Sequence, residues 1–233
     1  MLGMLTLIIV GYLSTKRRQK EAIEKLRNRI SQDLHDEIGS TLSSISLFGT
    51  VGKKLLGKDN ETTDQMLSKI NDSTTRVMES MNDIVWAIDS NNDKLGNLVN
   101  RMRAYLSEFE DAVSISITLT IDDDMGDDKL NMIQKRNLYL IFKEAVNNAV
   151  KYANASTLSI KIGRQNRSNF MQILDNGIGF DPESVNLDSM LGGNGLRNIK
   201  ERAKELKGEV TIFSEPGSGT KIEFVWDNNS NLL

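Results

Sequence analysis

The sequence contains no cysteine and has one histidine, His35, among its 233 residues. Without cysteine the chain can form no disulfide and no thiolate zinc site, and it has no thiol nucleophile. A single histidine also argues against a catalytic transition-metal site, since imidazole is among the commonest ligands of these metals. Any imidazole chemistry of this chain therefore depends on His35.

Aromatic residues and an excess of one charge are also scarce. Aromatics make up 6% of the residues, the formal net charge is -3, and the isoelectric point lies near 5.4. With no long basic patch, direct nucleic-acid binding is excluded as the main task. The chain is nevertheless 39% hydrophobic, which is enough for a core, and its length fits one or two domains.

Long apolar runs are missing as well. The apolar stretch at residues 2–13 falls short of the roughly 20 residues that a membrane span needs. It lacks the preceding basic residue and the small-residue cleavage site of a secretory signal. The basic run KRRQK at residues 16–20 follows it and would keep the rest of the chain in the cytoplasm. We therefore expect residues 1–15 to be a short or truncated anchor in the cell membrane, the alternative being a buried or interfacial helix end.

His35 lies in a long predicted helix that runs without proline from residue 16 to about residue 56. Its apolar stripe recurs at steps of three and four residues: Ile23, Leu26, Ile30, Leu34, Ile38, Leu42 and Ile45. At about 100° per residue, His35 lies beside this stripe and Asp36 lies farther toward solvent. Gly39, one turn later, leaves space next to the ring. The imidazole is therefore predicted to be accessible.

A second predicted helix, at residues 61–88, follows a turn near Gly57. Two long helices joined by a short turn form an antiparallel hairpin. One hairpin cannot cover its own apolar stripe, whereas two can do so as a four-helix bundle, so we expect a homodimer. Taken alone, this half would equally fit a coiled-coil dimerisation module.

The period of the hydrophobic pattern changes after the polar residues 89–93, which we interpret as a linker. Helices are predicted at 95–111, 129–152 and 195–206, and strands at 113–121, 157–162, 170–174, 209–214 and 220–226. The acidic loop at 122–128 departs from the EF-hand spacing and is interpreted as a solvated loop. We expect an α+β fold with a mixed, mostly antiparallel sheet covered on one face. The predicted domains are 1–15, 16–90 and 91–233.

The segment FKEAVNNAVKYA at residues 142–153 is the first of four motifs in the second half. It places Glu144, Asn148 and Lys151 on one helix face, at positions i, i+4 and i+7. Mg²⁺ takes few protein ligands and otherwise binds water and phosphate oxygens, so an Asn oxygen beside a lysine suits a magnesium nucleotide.

Three glycine motifs follow in order: DNGIGF at 175–180, GGNGL at 192–196 and GSGT at 217–220. Asp175 ends a predicted strand, where its carboxylate can accept a hydrogen bond from an exocyclic amine such as that of adenine. The second motif opens a helix, whose unpaired N–H groups and dipole favour phosphate. Each motif alone is a weak signal, but together they indicate a nucleotide site.

Together the four motifs resemble the N box, the two glycine boxes and the final Gly-x-Gly-Thr of the GHKL superfamily, whose ATP-binding domain has a Bergerat-type α/β sandwich fold. The first half resembles the histidine-kinase subfamily in which the phospho-accepting His is followed directly by Asp. The resemblance, over residues 22–226, is to sensor histidine kinases of two-component systems.

The resemblance implies ATP and Mg²⁺ as cofactors, a homodimer, and a response regulator receiver domain as partner. It implies that His35 accepts the γ-phosphoryl group, that Asp36 is its acid/base partner and that Glu144 supports catalysis. Asn148 would hold Mg²⁺, with Lys151 in support, and Asp175 would read adenine. The other nucleotide-binding residues would be Gly177, Gly179, Gly193, Gly195, Leu196, Gly219 and Thr220.

Two positions depart from the family pattern. Ser40 stands where many relatives have Gln or Thr, a position linked to dephosphorylation of the regulator, and Tyr152 replaces the His that often ends the N box. Two other functions compete with a histidine kinase. One is another GHKL member, a serine kinase or an ATPase clamp, and the other is a dimeric scaffold that binds nucleotide without phosphoryl transfer.

Overall fold

The computed structural model describes residues 16–17, 39–110, 114–166, 168–182 and 194–227. The chain divides between Val85 and Trp86 into two compact units. His35, Asp36, Gly193 and the predicted anchor at 1–15 lie outside the described residues. Among the helices that are described, none is long and apolar enough to cross a membrane.

The first unit is a hairpin of two helices, α1 (Gly39–Leu55) and α2 (Asn60–Ile88). Asp59 caps α2, since its carboxylate accepts hydrogen bonds from the backbone N–H and the hydroxyl of Thr62. The two helices approach closely at Gly52, where an added β-carbon would lie 3.5 Å from Cβ of Met66. The predicted second helix is therefore confirmed to within one residue at its start, and the C-terminal part of the predicted first helix is helical.

The hairpin leaves much of its apolar surface uncovered. Leu56 is 69% exposed, and the other large exposed side chains of this unit are Leu42, Leu47, Leu67, Met78, Met81 and Val85. A patch of exposed apolar side chains of this kind is typical of an interaction surface. It agrees with the expectation that one hairpin cannot cover its own apolar stripe.

The second unit contains a five-stranded sheet in the order β1-β2-β3-β5-β4. The strands are β1 (Ser116–Ile121), β2 (Thr157–Gln165), β3 (Ser168–Asp175), β4 (Glu209–Ser214) and β5 (Thr220–Asp227). Strands β1 and β2 are parallel, and the other three pairings are antiparallel. The predicted α+β class with a mixed, mostly antiparallel sheet is confirmed.

The core lies on one face of this sheet, where the alternate side chains of the central strands point inward. The helices of this unit are α3 (Leu95–Glu110), α4 (Met132–Tyr152) and α5 (Asn194–Glu205). Ile160, Ile173 and Phe224 from the strands join Ile141 and Phe142 of α4 in one buried cluster. This packing fixes α4 over the sheet.

The acidic loop between β1 and α4 folds around an arginine. Arg164 contacts the carboxylate of Asp124 at 3.2 Å and that of Asp128 at 2.5 Å, and its backbone N–H donates to Asp122. Hydrogen bonding to Asp128, and then its charge, raise the pKa of the Arg164 guanidinium. The loop is therefore tied to β2 rather than solvated throughout, because the cation that pairs with it lies on a strand distant in sequence.

Candidate active site

A cavity of about 380 Å³ opens between the C-terminal half of α4, the end of β3 and the start of α5. Its walls are mostly apolar, with a few polar groups, as is usual for small-molecule sites. The lining residues are Ala145, Asn148, Ala149, Tyr152, Ala153, Ile173, Asp175, Ile178, Gly179, Phe180, Gly195, Leu196, Thr220 and Ile222.

Helix α4 supplies one wall of the cavity. A capping box between Asn131 and Gln134 fixes its start, because each side chain bonds the backbone N–H of the other residue. Ala145 and Ala149 are buried in the core, and Asn148, on the neighbouring face, is half-buried and lines the cavity.

Asp175, the last residue of β3, is buried at 6% exposure and lines the cavity. Its Oδ1 accepts a hydrogen bond of 2.8 Å from the backbone N–H of Gly177, which holds the carboxylate in place. In the sheet Asp175 pairs with Thr220, and Gly219 packs against the Asp175 carbonyl so closely that a β-carbon would collide with it. The two strand ends thus present a carboxylate and a hydroxyl next to each other.

The segment after Asp175 is fastened to its neighbours. Oδ1 of Asn176 accepts hydrogen bonds from the backbone N–H groups of Ser156 and Thr157, each 2.9 Å long. The Ile178 N–H donates to the Ala153 carbonyl at 2.7 Å. These contacts hold residues 176–178 against the end of α4 and the start of β2.

Glycine is required at two points of this segment. A β-carbon at Gly177 would collide with the carbonyl of Ala153. Gly179 has φ of +60° and lies against the carbonyl of Glu215, so a side chain there would meet both strain and a collision. The glycines let the backbone pass close to the cavity.

Helix α5 begins at the opposite side of the cavity. Gly195, in its first turn, packs against Glu144. A β-carbon at Gly195 would collide with Oε1 of Glu144 and would lie 3.4 Å from Nδ2 of Asn148. The first N–H groups of a helix have no partner within the helix and favour anions. The site therefore combines a carboxylate, an amide and a helix N-terminus, a donor set suited to a phosphate-bound divalent cation.

Two families match this chain. The family described as "Histidine kinase-, DNA gyrase B-, and HSP90-like ATPase" matches residues 133–230, which include every described residue that lines the cavity. A family described as "Histidine kinase" matches residues 27–93. Residues 27–93 are therefore similar to a histidine kinase family, and residues 133–230 to a family of histidine-kinase-like ATPases. The first match further implies that the second unit binds ATP.

Curated relatives of this chain include two proteins of Bacillus subtilis (strain 168). Sensor histidine kinase LiaS is 25% identical over 205 residues, 88% of this chain and 55% of the relative. Sensor histidine kinase YhcY is 27% identical over 206 residues, 88% of this chain and 51% of the relative. The chain thus spans about half the length of these relatives.

Solved structures of histidine kinases share the fold. Acinetobacter baumannii histidine kinase AdeS matches with a TM-score of 0.55 at 15% identity, covering 85% of this chain and 98% of that one. The histidine kinase domain of the Erythrobacter litoralis EL346 blue-light activated histidine kinase matches with a TM-score of 0.53 at 13% identity, covering 83% and 96%.

Most of the site residues predicted for the second unit come together around the cavity. Asn148, Asp175, Gly179, Gly195, Leu196 and Thr220 line it. Gly177, Gly219 and Glu144 each contact one of the lining residues. Lys151 is exposed and is not among the lining residues.

Ser214 is a residue of this site that the sequence motifs do not single out. Its hydroxyl donates to the Gly219 carbonyl at 3.0 Å and accepts a 2.9 Å hydrogen bond from the Phe180 N–H. The Thr220 hydroxyl lies 3.0 Å away, and because the Ser214 proton is directed to Gly219, Thr220 is the donor of this pair. Ser214 therefore connects two lining residues, Phe180 and Thr220, with the glycine turn. A prediction of the β4–β5 hairpin register, which pairs Ser214 with Thr220, would have placed Ser214 beside this site.

Proposed function

We propose that this chain is an ATP-dependent protein histidine kinase that autophosphorylates His35 and passes the phosphoryl group to an aspartate of a response regulator. The observation that carries the proposal is the cavity in which Asp175, Asn148 and the start of α5 meet, in a chain that also matches a histidine kinase family at residues 27–93.

The cavity suits adenine at its β3 end and phosphate at its α5 end. The Asp175 carboxylate, held by Gly177, accepts a hydrogen bond from the exocyclic amine of adenine, and Thr220 supplies a hydroxyl beside it. The apolar walls from Ile173 and Ile222 favour the faces of the base. The phosphates lie toward the N-terminus of α5, where unpaired N–H groups are available.

The residues at the phosphate end fit a magnesium ion. Glu144 and Asn148 lie together against the first turn of α5, where the missing side chain of Gly195 lets the Glu144 carboxylate approach the backbone. An amide oxygen and a carboxylate are ligands that Mg²⁺ accepts when phosphates and water complete its shell. Asn148 would hold the ion, with Glu144 beside it. When bound, Mg²⁺ neutralises charge on the phosphates.

Phosphoryl transfer to His35 requires a neutral ring nitrogen, which is available because the ordinary pKa of imidazole is about 6.5. The nitrogen attacks the γ-phosphorus in line; the N–P bond forms as the bond to the β,γ-bridging oxygen breaks, and ADP leaves. Asp36, next in the chain, orients the ring and takes its proton. The phosphoryl group then moves from the His35 nitrogen to an aspartate oxygen of the receiver.

The uncovered apolar residues of the hairpin support a homodimer. Leu47, Leu67, Met78 and Met81 are each at least 46% exposed within one chain. A second copy of the hairpin would cover them as a four-helix bundle. Sedimentation velocity of the full chain in detergent should give the mass of a dimer. Replacement of Leu47 and Leu67 by Lys should give a monomer, and a wild-type monomer at micromolar concentration would contradict the proposal.

We extend the proposal to the cell membrane, with residues 1–15 as its anchor and the kinase part in the cytoplasm. The support is the apolar stretch at residues 2–13 followed by the basic run at 16–20. The full chain should sediment with membranes after carbonate washing, whereas a chain that begins at Lys16 should remain in the supernatant. Equal behaviour of the two chains would refute the anchor.

The kinase proposal is tested by incubating the full chain with Mg²⁺ and γ-labelled ATP. Wild-type protein should acquire label that acid removes and alkali does not, and His35→Gln should acquire none while it still binds ATP. Asn148→Ala should bind less Mg-ATP and acquire no label. Label that persists in His35→Gln and resists acid would indicate a serine kinase instead. Binding of ATP by the wild type without any label would favour the scaffold.

A further inference from the structure

Lys135 of α4 carries a charge into the interior of the second unit, where its side chain has 0% exposure. A buried ammonium group is unfavourable unless it is paired and hydrogen-bonded. Nζ of Lys135 donates 2.8 Å hydrogen bonds to Oδ1 of Asp93 and to the carbonyl of Asp89. Both acceptors belong to the polar stretch 89–93, so this stretch is held by the interior of the second unit.

Trp86, in the last turn of α2, lies near the same ammonium group. The Lys135 Nζ is 5.7 Å from the centre of a Trp86 ring, and the Arg101 guanidinium carbon is 4.7 Å from it. Arg101 is also 4.8 Å from the ring centre of Tyr139. These distances are within the range of cation–π attraction. The end of α2 is therefore held between two cations of α3 and α4.

Further hydrogen bonds link the residues between Trp86 and Asp93 to one another. Nδ2 of Asn92 donates to the Trp86 carbonyl at 3.2 Å, and Asp89 caps the 3-10 turn Ser90–Asn92 through the Asn91 N–H. The Leu130 N–H donates to the Asp93 carbonyl at 2.6 Å. Residues 86–93, here called the connector, have their backbone and side chains tied to one another and to the start of α4.

We propose that Lys135 is a positioning residue that makes the connector one rigid body with the ATP-binding unit. The sequence indicated only a polar linker at 89–93. The division of the chain into units between Val85 and Trp86 places the connector in the ATP-binding unit. The consequence for catalysis rests on the proposed kinase function, because Lys135 would position the connector that joins the ATP-binding unit to the rest of the chain.

The rigidity of the connector can be measured without any kinase activity. Because the chain has no cysteine, introduced cysteines take spin labels without background. Ser90 and Lys161 are both exposed, one in the connector and the other on β2. Their labels should give one narrow distance distribution with and without nucleotide. Labels at Lys161 and Lys204, which do not include the connector, are the matched control.

Lys135→Met should broaden the Ser90–Lys161 distribution and leave the Lys161–Lys204 distribution unchanged. Asp93→Asn should broaden the same distance distribution less, since the Asp93 side chain is 45% exposed. This milder variant keeps the test valid if Lys135→Met does not fold. A broad Ser90–Lys161 distribution in the protein with Lys135 would overturn the proposal. An unchanged Ser90–Lys161 distribution in both variants would also overturn the proposal.

The catalytic consequence is read from the same variants with labelled ATP. Nucleotide affinity should stay within twofold, while the rate of autophosphorylation at saturating ATP should fall by roughly ten- to a hundredfold, as expected when reacting groups are misplaced. Equal loss of affinity and rate would point to a purely structural role and contradict positioning. If the wild type acquires no label at all, the kinase proposal fails, and the distance measurements still decide whether the connector is rigid.

Discussion

Gly195 at the start of α5 lies directly against the carboxylate of Glu144, so that a β-carbon at this glycine would collide with Oε1. The same β-carbon would lie 3.4 Å from Nδ2 of Asn148. The absence of a side chain at Gly195 thus lets two polar groups of α4 lie close to the first turn of α5. These groups are the ones proposed to face a phosphate-bound cation.

Gly195→Ala should therefore weaken Mg-ATP binding about tenfold or more, because the new methyl group displaces Glu144 or shifts the start of α5. Isothermal titration with a non-hydrolysable ATP analogue, with and without Mg²⁺, measures the effect. Gly126→Ala is the matched control, since a β-carbon at Gly126 meets nothing within 4 Å. If Gly195→Ala binds Mg-ATP as the wild type does, the contact between Gly195 and Glu144 is not part of the nucleotide site.

Asp175→Asn should lower ATP affinity by about 1.5–3 kcal/mol, the range for a hydrogen bond to a charged group. The asparagine keeps an oxygen that can accept from the Gly177 N–H, so the local fold should persist. Titration with ATP and with GTP checks the role in base recognition, because only the adenine base offers its exocyclic amine at this position. Asp123→Asn, at an exposed loop position, should leave both affinities unchanged. An Asp175→Asn variant that loses no ATP affinity would rule out this role.

Hydrophobic periodicity was sufficient for the elements of this fold. The helix predicted at residues 61–88 is α2, and the structure extends it by one residue at its start. The alternating pattern before Ile121 predicted β1 in the same way, although the strand begins at Ser116. Such patterns are local, and burial on one face imposes them directly on the sequence.

The contacts of Lys135, and the hydrogen bond of Ser214 with Phe180, depend on distant parts of the chain, and the sequence did not indicate them. Lys135 bonds residues more than 40 positions away, and a lysine in a helix is ordinarily expected on the surface. Lys151 shows the complementary limit. Its spacing put it on the helix face of Glu144, but its side chain is exposed and does not line the cavity, whereas the next residues, Tyr152 and Ala153, do.

The cap of α2 should respond to acid. Hydrogen bonds from the side chain and then the backbone of Thr62 lower the pKa of the Asp59 carboxyl below its ordinary value. Because the folded-state pKa is the lower one, the stabilisation is fully present above the unfolded-state pKa and is lost as the pH falls through the folded-state pKa. Amide exchange in the first turn of α2, corrected for intrinsic rates, should accelerate below about pH 4. In Asp59→Asn, which has no carboxyl to titrate, this acceleration should be absent; an equal acceleration in both proteins would contradict the prediction.

Ser214 provides the sharpest test of how the cavity is held in shape. In Ser214→Ala, the Phe180 N–H loses its acceptor and the Thr220 hydroxyl loses its partner beside Asp175. Each lost hydrogen bond is worth about 0.5–1.5 kcal/mol, so the loss of both should raise the KM for ATP roughly 5- to 150-fold. The maximal rate should change little, since Ser214 lies at the base end of the cavity and not beside Glu144.

Ser218→Ala removes a hydroxyl from the same hairpin turn at an exposed position and is the matched control. Ser214→Thr keeps the hydroxyl and should restore most of the affinity for ATP. Steady-state autophosphorylation over a range of ATP concentrations separates the two parameters. A Ser214→Ala variant with a normal KM, or one that loses maximal rate and affinity together, would mean that the hydroxyl does not position Thr220 for the base.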